Sequence, residues 1–149
     1  MPYRVSWLVE GRVIMAELSG NLTRQELLPY NQTICQHLDS AGTSQVHYLV
    51  DASRVHNVPS LTAAKDFTFL YHPRMGWTAA VGVQSPLVRW VGNFLSKLLK
   101  ARTRELPSVD EALDFLQQVD STLPNLRPAV TLHLSRRYAG EGVTRRLTG

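Results

Sequence analysis

Residues 46–55 have the sequence VHYLVDASRV. The run from Val46 to Val50 is short, contains β-branched and aromatic residues, and ends at Asp51. This is the pattern of a buried central strand with a polar residue at its carboxyl end. We expect a loop from Ala52 to Pro59 after it. Because a buried strand needs neighbours, the segments on either side decide which sheet forms.

The segment before this strand predicts a β-hairpin. Tyr3, Val5, Trp7 and Val9 alternate with mostly polar neighbours, and Val13, Met15 and Glu17 continue this period of two. The turn signal Glu10-Gly11-Arg12 lies between the two runs. Alternation with period two on both sides of a turn is typical of two paired strands.

A helix is predicted between the hairpin and the central strand. Thr23 and Glu26 have the spacing of a capping box, and apolar residues then recur at helical intervals until Gly42. Pro29 lies inside this segment, where its ring would clash with the carbonyl group four residues earlier. We therefore expect the helix to bend at Pro29 or to begin later.

Helices and strands alternate after the central strand. In order, we predict a helix capped by Ser60 with apolar positions up to Tyr71, a strand from Trp77 to Val83, a helix from Ser85-Pro86 to about Lys100, an edge strand from Thr103 to Leu106, and a helix through Val119 capped by Ser108 and Glu111. This alternation requires crossover connections. The fold class is α/β: a mixed, largely parallel sheet with an opening hairpin and helices packed on it.

The chain is predicted to be one domain followed by an extension. A length of 149 residues suits a single core. Pro124 and Pro128 mark a boundary after Leu123, so we assign residues 1–123 to the domain and 124–149 to a C-terminal extension. Within the extension, residues 130–134 alternate like an added strand.

The basic charge belongs to this extension. The formal net charge is +4, but residues 1–120 contain 11 Lys and Arg against 11 Asp and Glu, so the excess comes from 5 arginines against Glu141 in the remainder. A domain that binds nucleic acid usually carries its charge on the folded surface. The sequence has no specific nucleic-acid signal.

Other chemistry has little support. Cys35 is the single cysteine, which excludes an internal disulfide and a cysteine-based zinc cluster. The histidines are scattered, and there is no Gly-rich nucleotide-binding motif. We expect no metal and no cofactor. Without a signal peptide or an apolar run long enough to span a membrane, we expect a cytoplasmic protein.

The order of elements and two short motifs resemble the STAS domain of bacterial anti-sigma-factor antagonists, the SpoIIAA-like fold. Residues 50–55, VDASRV, are similar to the turn in which the central STAS strand ends, and residues 18–23, LSGNLT, are similar to the turn before its first helix. The resemblance covers about residues 3–120 and is nearest to divergent, uncharacterised members. It implies a non-enzymatic regulatory module that binds a protein partner.

The phosphorylation motif of these antagonists is altered in this chain. Their regulatory serine lies in an Asp-Ser-Ser-Gly turn, whereas the corresponding residues here are Pro59-Ser60-Leu61-Thr62. Ser60 or Thr62 takes the place of the serine, but the acidic residue and the glycine are missing. The resemblance therefore implies a module without the phosphoserine switch.

Polar residues around the end of the central strand form the candidate binding loop: Asp51, Ser53, His56 and Ser60. In open α/β sheets, ligands bind at the carboxyl ends of strands. A hydrolase would need a serine paired with a base, but no Gly-x-Ser-x-Gly elbow surrounds either serine. Turn formation and helix capping explain these residues more simply. We therefore assign no catalytic residue and keep a weak esterase as the third alternative.

The helix from Leu87 to Leu99 has an unusually wide apolar face. Its apolar residues fill about half of the helical wheel, more than a surface helix usually buries. Three interpretations remain, given in descending order of the weight we assign them: deep burial in the core, a homodimer face, and contact with a membrane surface or an acidic partner. The candidate interface residues are Leu87, Trp90, Val91, Phe94 and Leu98. A small-molecule or lipid pocket between this helix and the sheet is the second functional alternative.

Overall fold

The computed structural model describes residues 3–42, 45–57, 67–83 and 102–128, together with Arg89 and Lys97. The elements in chain order are β1 (Tyr3–Val9), β2 (Val13–Asn21), α1 (Arg24–Ser40), β3 (Val46–Asn57), a 3-10 helix (Thr68–Tyr71), β4 (Met75–Val81), β5 (Thr103–Leu106) and α2 (Val109–Val119). No helix in these residues is long and apolar enough to cross a lipid bilayer.

The strands form one five-stranded sheet in the order β1-β2-β3-β4-β5. β1 and β2 are antiparallel, and every other pair is parallel. All parallel strands therefore end at the same edge of the sheet, which we call the carboxyl edge. The predicted α/β class, with a hairpin opening a largely parallel sheet, is confirmed.

Each face of the sheet carries its own apolar core because successive side chains of a strand point to opposite faces. On one face, α1 and the 3-10 helix cover a cluster that includes Ile14 and Tyr48. On the other face, α2 covers a cluster that includes Met15 and Leu49. The strands β2 and β3 are thus buried on both sides, as expected for the centre of a parallel sheet.

Local signals in the sequence placed three elements correctly. Gly11 adopts a φ of +74° in the hairpin turn, a conformation that glycine tolerates best. The capping box of α1 forms in both directions: the Thr23 hydroxyl accepts the Glu26 N–H at 3.2 Å, and Glu26 accepts the Thr23 N–H at 3.4 Å. Ser108 caps α2 by accepting the Glu111 N–H at 3.3 Å.

The expectation that α1 might begin after Pro29 is wrong, since the helix starts at Arg24. The proline removes one backbone donor near the N-terminus of the helix, and its side chain is exposed. The capping box and the buried residues Leu27, Tyr30 and Ile34 hold the helix on both sides of it. Their packing outweighs one missing hydrogen bond.

The expected loop at Ala52 is also wrong, because β3 continues to Asn57. The pairing with β2 shifts between Asp51 and Arg54, which lie opposite Glu17 and Ser19, so β3 carries one extra residue there. Such a bulge re-aims a strand without ending it. Beyond it, Ala52 and Val55 are buried in the core under α1.

Two further predictions need adjustment. A helix was predicted up to Tyr71, but the described residues there form a separate 3-10 helix, Thr68–Tyr71, with Phe69 buried and a non-helical Phe67 before it. Residues 58–66 lie outside the described residues. The predicted strand from Trp77 to Val83 is shifted, and β4 runs from Met75 to Val81. Gly82, with φ +70°, follows β4 and donates its N–H to the Leu106 carbonyl oxygen of β5 at 3.4 Å.

The structure describes only parts of the predicted helix at residues 85–100 and of the C-terminal extension. The predicted helix from Ser85 to Lys100 lies outside the described residues except for Arg89 and Lys97, which are both helical, and residues 129–149 lie outside as well. Leu123 is buried in the core under α2, and so is Leu126, which is fully buried.

Candidate functional site

A cleft of about 650 Å³ opens at the carboxyl edge of the sheet. Most of its wall consists of charged and hydroxyl side chains from β1, β2 and β3, with one residue of α1. The lining residues are Tyr3, Arg4, Val5, Glu17, Leu18, Ser19, Thr33, Asp51, Ser53 and Arg54. Its position agrees with the rule that binding sites of open α/β sheets lie at the carboxyl ends of the strands.

The bulge of β3 shapes the floor of the cleft. The Asp51 carboxylate accepts the Ser53 N–H at 2.9 Å, which pins the chain where the extra residue is inserted. Gly82 approaches Ser53 so closely that a Cβ atom at position 82 would lie 2.5 Å from the Ser53 Cβ. The bulge and the missing side chain at Gly82 together set the position of Ser53.

Charges of both signs line the cleft. Arg4, Glu17 and Asp51 lie opposite one another on adjacent strands, so their side chains project from the same face of the sheet. Arg54 follows on the far side of the bulge, opposite Ser19. Arg4 and Glu17 are thus opposite charges on neighbouring strands, whereas Glu17 and Asp51 are like charges side by side.

The structure brings together two of the four residues of the candidate binding loop. Asp51 and Ser53 line the cleft, whereas His56 is exposed and is not among the lining residues. Ser60 lies outside the described residues. No hydrogen bond joins the Ser53 hydroxyl to His56 in the described part of β3, so the serine and base that a hydrolase pairs are not paired there.

Sequence reasoning missed the residues that the neighbouring strands supply to this cleft. Arg4 and Glu17 join Asp51 only through strand register, which no local pattern reveals. Arg54 had a usable signal, since it stands next to Ser53 at the end of the same strand.

A second polar cluster lies at the opposite edge of the sheet and is centred on His47. This side chain is fully buried; its Nδ1 accepts the Trp77 N–H at 3.1 Å, and its Nε2 lies 2.8 Å from an Asp120 carboxylate oxygen. Because Nδ1 is an acceptor, the proton is on Nε2 and is donated to Asp120. Arg12 donates to the same oxygen of Asp120 at 3.1 Å.

This cluster connects the end of α2 to the sheet. Asp120 is the C-cap of α2, His47 belongs to β3, and Arg12 lies in the β1–β2 turn. Hydrogen bonds from Thr122 and then from His47 hold the pKa of Asp120 well below its usual range. Gly76 leaves the space for the imidazole, since a Cβ there would lie 2.7 Å from His47 Nδ1. We assign the cluster a structural role.

The cluster was not found in the sequence because its members are far apart. His47 and Asp120 are separated by 73 positions, and no motif links them. Among the described residues, no group of three or more histidine, cysteine, aspartate or glutamate residues is arranged to hold a metal ion.

Comparison with known proteins identifies the fold. No protein-family model matches the sequence, and no curated protein matches it. Solved structures do match. One is an uncharacterised protein of the DUF3478 family with a SpoIIAA-like fold from Shewanella loihica PV-4, which is 18% identical, with a TM-score of 0.57, over 76% of this chain and 91% of that one.

Two other similar structures are those of SpoIIAA. The unphosphorylated anti-sigma factor antagonist is 16% identical, with a TM-score of 0.53, over 82% of this chain and 99% of that one. The phosphorylated SpoIIAA, a Bacillus cell fate determinant, is 15% identical, with a TM-score of 0.51, over 76% and 98%. The chain therefore has the SpoIIAA-like fold that its sequence resembles. At these identities the likeness establishes the fold alone.

Proposed function

We propose that this protein is a non-enzymatic regulatory module that binds a protein partner through the cleft at the carboxyl edge of its sheet. The observation that carries the proposal is the mixed-charge wall formed by Arg4, Glu17, Asp51 and Arg54. The SpoIIAA-like fold supports it, because one of the similar structures is an anti-sigma factor antagonist.

The polar composition of the cleft favours a protein partner over the alternative ligands. A lipid or a small apolar molecule needs a largely apolar pocket. An esterase needs its serine hydroxyl beside a base. Ser53 instead contacts Asp51 through its backbone N–H, which donates to the Asp51 carboxylate. Arg4 and Arg54 are exposed and Glu17 and Asp51 are half-buried, which fits the polar rim of a protein interface.

The proposal is tested with charge-reversal variants of the cleft. The wild-type protein is first used to capture partners from a cell extract, and these partners are identified and purified. Each partner is then titrated by calorimetry against the wild type and against Arg54→Glu. We expect the variant to bind roughly tenfold more weakly, equivalent to about 1.4 kcal/mol. The matched control is Arg102→Glu, which makes the same charge change at an exposed position before β5, at the opposite edge of the sheet.

Two results would contradict the proposal. Equal affinity of Arg54→Glu and Arg102→Glu for the purified partner would exclude the cleft as the binding surface. Hydrolysis of short-chain esters by the wild-type protein, abolished by Ser53→Ala, would instead make the protein an enzyme.

We also propose that the module works without the phosphoserine switch. The support is the sequence Pro59-Ser60-Leu61-Thr62, which lacks the acidic residue and the glycine of the antagonist motif. Incubation with a cognate anti-sigma kinase and ATP should leave Ser60 unmodified by mass spectrometry. Stoichiometric phosphate on Ser60 or Thr62 would overturn this part of the proposal without affecting the cleft.

A further inference from the structure

Among the described residues, no strand lies beside the outer edge of β1. β1 pairs with β2 from Tyr3 to Val9 on one side, and no strand in the described residues pairs with its other side. The strand is seven residues long, contains no proline, and has Arg4 as its single charged residue. Proteins usually protect such edges with charges, prolines or bulges because the unpaired backbone groups attract another strand. Here the protection is limited to Arg4 and a register irregularity between Trp7 and Val9.

The side chains of β1 extend both cores of the protein. Tyr3, Val5 and Trp7 are partly buried against the core under α1. Leu8 and Val9 pack against the core under α2. A further strand with apolar side chains, placed along β1, would therefore cover apolar surface as well as unpaired backbone.

The last described residues bring the chain to this side of the sheet. The Arg12 guanidinium donates to the Thr122 hydroxyl at 2.6 Å, which places the chain beside the β1–β2 turn. Leu123 and Leu126 then join the cluster that contains Leu8. The same cluster contains Val13 and Met15 of β2, whereas α2 itself packs mainly on β3, β4 and β5.

The segment that follows has the pattern of a strand. Val130, Leu132 and Leu134 alternate with Thr131, His133 and Ser135, and residues 129–135 equal β1 in length. We infer that residues 129–135 of this chain form a sixth strand along the outer edge of β1. The occupant is the same chain because Leu126, three residues before the segment begins, is anchored in the core to which Leu8 of β1 belongs. The inference is independent of the proposed function, since it concerns backbone pairing and not the cleft.

Hydrogen–deuterium exchange of the full chain tests the inference. The measured quantity is the exchange rate of β1 amides in the wild type and in Leu132→Pro, whose missing N–H and fixed ring disrupt the centre of a strand. We expect the β1 amides that face away from β2 to be protected in the wild type and to exchange roughly tenfold faster in the variant. Thr144→Pro is the control, because it places the same residue in the extension beyond the segment. Unchanged exchange of β3 amides shows that the variants remain folded.

Three results would overturn the inference. The first result is exchange of the outward-facing β1 amides at unprotected rates in the wild type, which needs no variant. The second is identical β1 exchange in Leu132→Pro and Thr144→Pro. The third is protection of β1 that increases with protein concentration, which would assign the added strand to a second copy.

Discussion

Replacement of Asp120 by alanine should destabilise the protein through one buried hydrogen bond. The Asp120 side chain is only 13% exposed and accepts from His47, whose own side chain is 1% exposed. Without the carboxylate, the His47 Nε2–H has no acceptor and no access to water. An unsatisfied buried donor costs about 1–3 kcal/mol. Arg12 is 25% exposed and can turn to solvent, so losing its ion pair adds about 1 kcal/mol at most.

We therefore expect the free energy of unfolding of Asp120→Ala to fall by about 2–4 kcal/mol. The assay is urea unfolding at pH 7, followed by circular dichroism. Asp120→Asn is the matched variant because its amide oxygen can still accept from His47 while the charge is lost, and we expect a loss of about 1–2 kcal/mol. A change below about 0.5 kcal/mol for Asp120→Ala would refute this assignment of the cluster.

The pH dependence gives a second check on the same residue. Folding lowers the pKa of Asp120, so its stabilising contribution is complete above the unfolded pKa of about 3.9 and is lost as the pH falls through the folded value. The advantage of the wild type over Asp120→Asn should consequently shrink between about pH 4 and pH 2. An advantage that stays constant over this range would contradict the sign of the shift.

Three further predictions concern other parts of the molecule. Gly82→Ala should lower the free energy of unfolding by more than about 2 kcal/mol in the same urea assay, because φ is +70° and the new Cβ would lie 2.5 Å from the Ser53 Cβ. The control is Gly11→Ala, at φ +74° with no atom within 4 Å of the new Cβ, which should lower it by about 1–2 kcal/mol. Asn31→Ala should cost about 1–3 kcal/mol in this assay, since the buried Phe69 N–H loses the Asn31 oxygen, 3.0 Å away, and the Thr68 hydroxyl loses the Asn31 amide donor, 2.9 Å away. We expect the wild type to sediment as a dimer and Trp90→Glu as a folded monomer, because the variant places a charge on the wide apolar face predicted for residues 87–99. A wild type that is monomeric at high concentration would contradict the predicted dimer face.

The predictions that succeeded depend on signals contained within a few neighbouring residues. The hairpin follows from alternation around Gly11, and the start of α1 from Thr23 and Glu26. Strand β5 and helix α2 were also predicted within a residue or two of their observed bounds. Each of these signals acts through a side chain and the backbone of the same segment, so no knowledge of the rest of the chain is required.

The predictions that failed depend on contacts between segments. The central strand was predicted to end at Asp51 because a polar residue there suits the carboxyl end of a buried run, but pairing with β2 and burial of Val55 extend the strand to Asn57. Pro29 disfavours a helix locally, but the packing of Tyr30 and Ile34 against the sheet overrides it. Burial of apolar area across elements contributes more free energy than one local backbone preference.

By itself, the sequence determined the α/β class, the opening hairpin, and the positions of β5 and α2. It also pointed to Asp51 and Ser53, although these residues lie within β3 and not at its end. Periodicity, capping and turn residues are local physical requirements and can be recognised along the chain. Only the tertiary structure decided that Arg4 and Glu17 share a cleft with Asp51, and that His47 is buried against Asp120. Strand register and side-chain burial arise when distant segments pack together, and a sequence pattern confined to one segment contains no information about the partner it will meet.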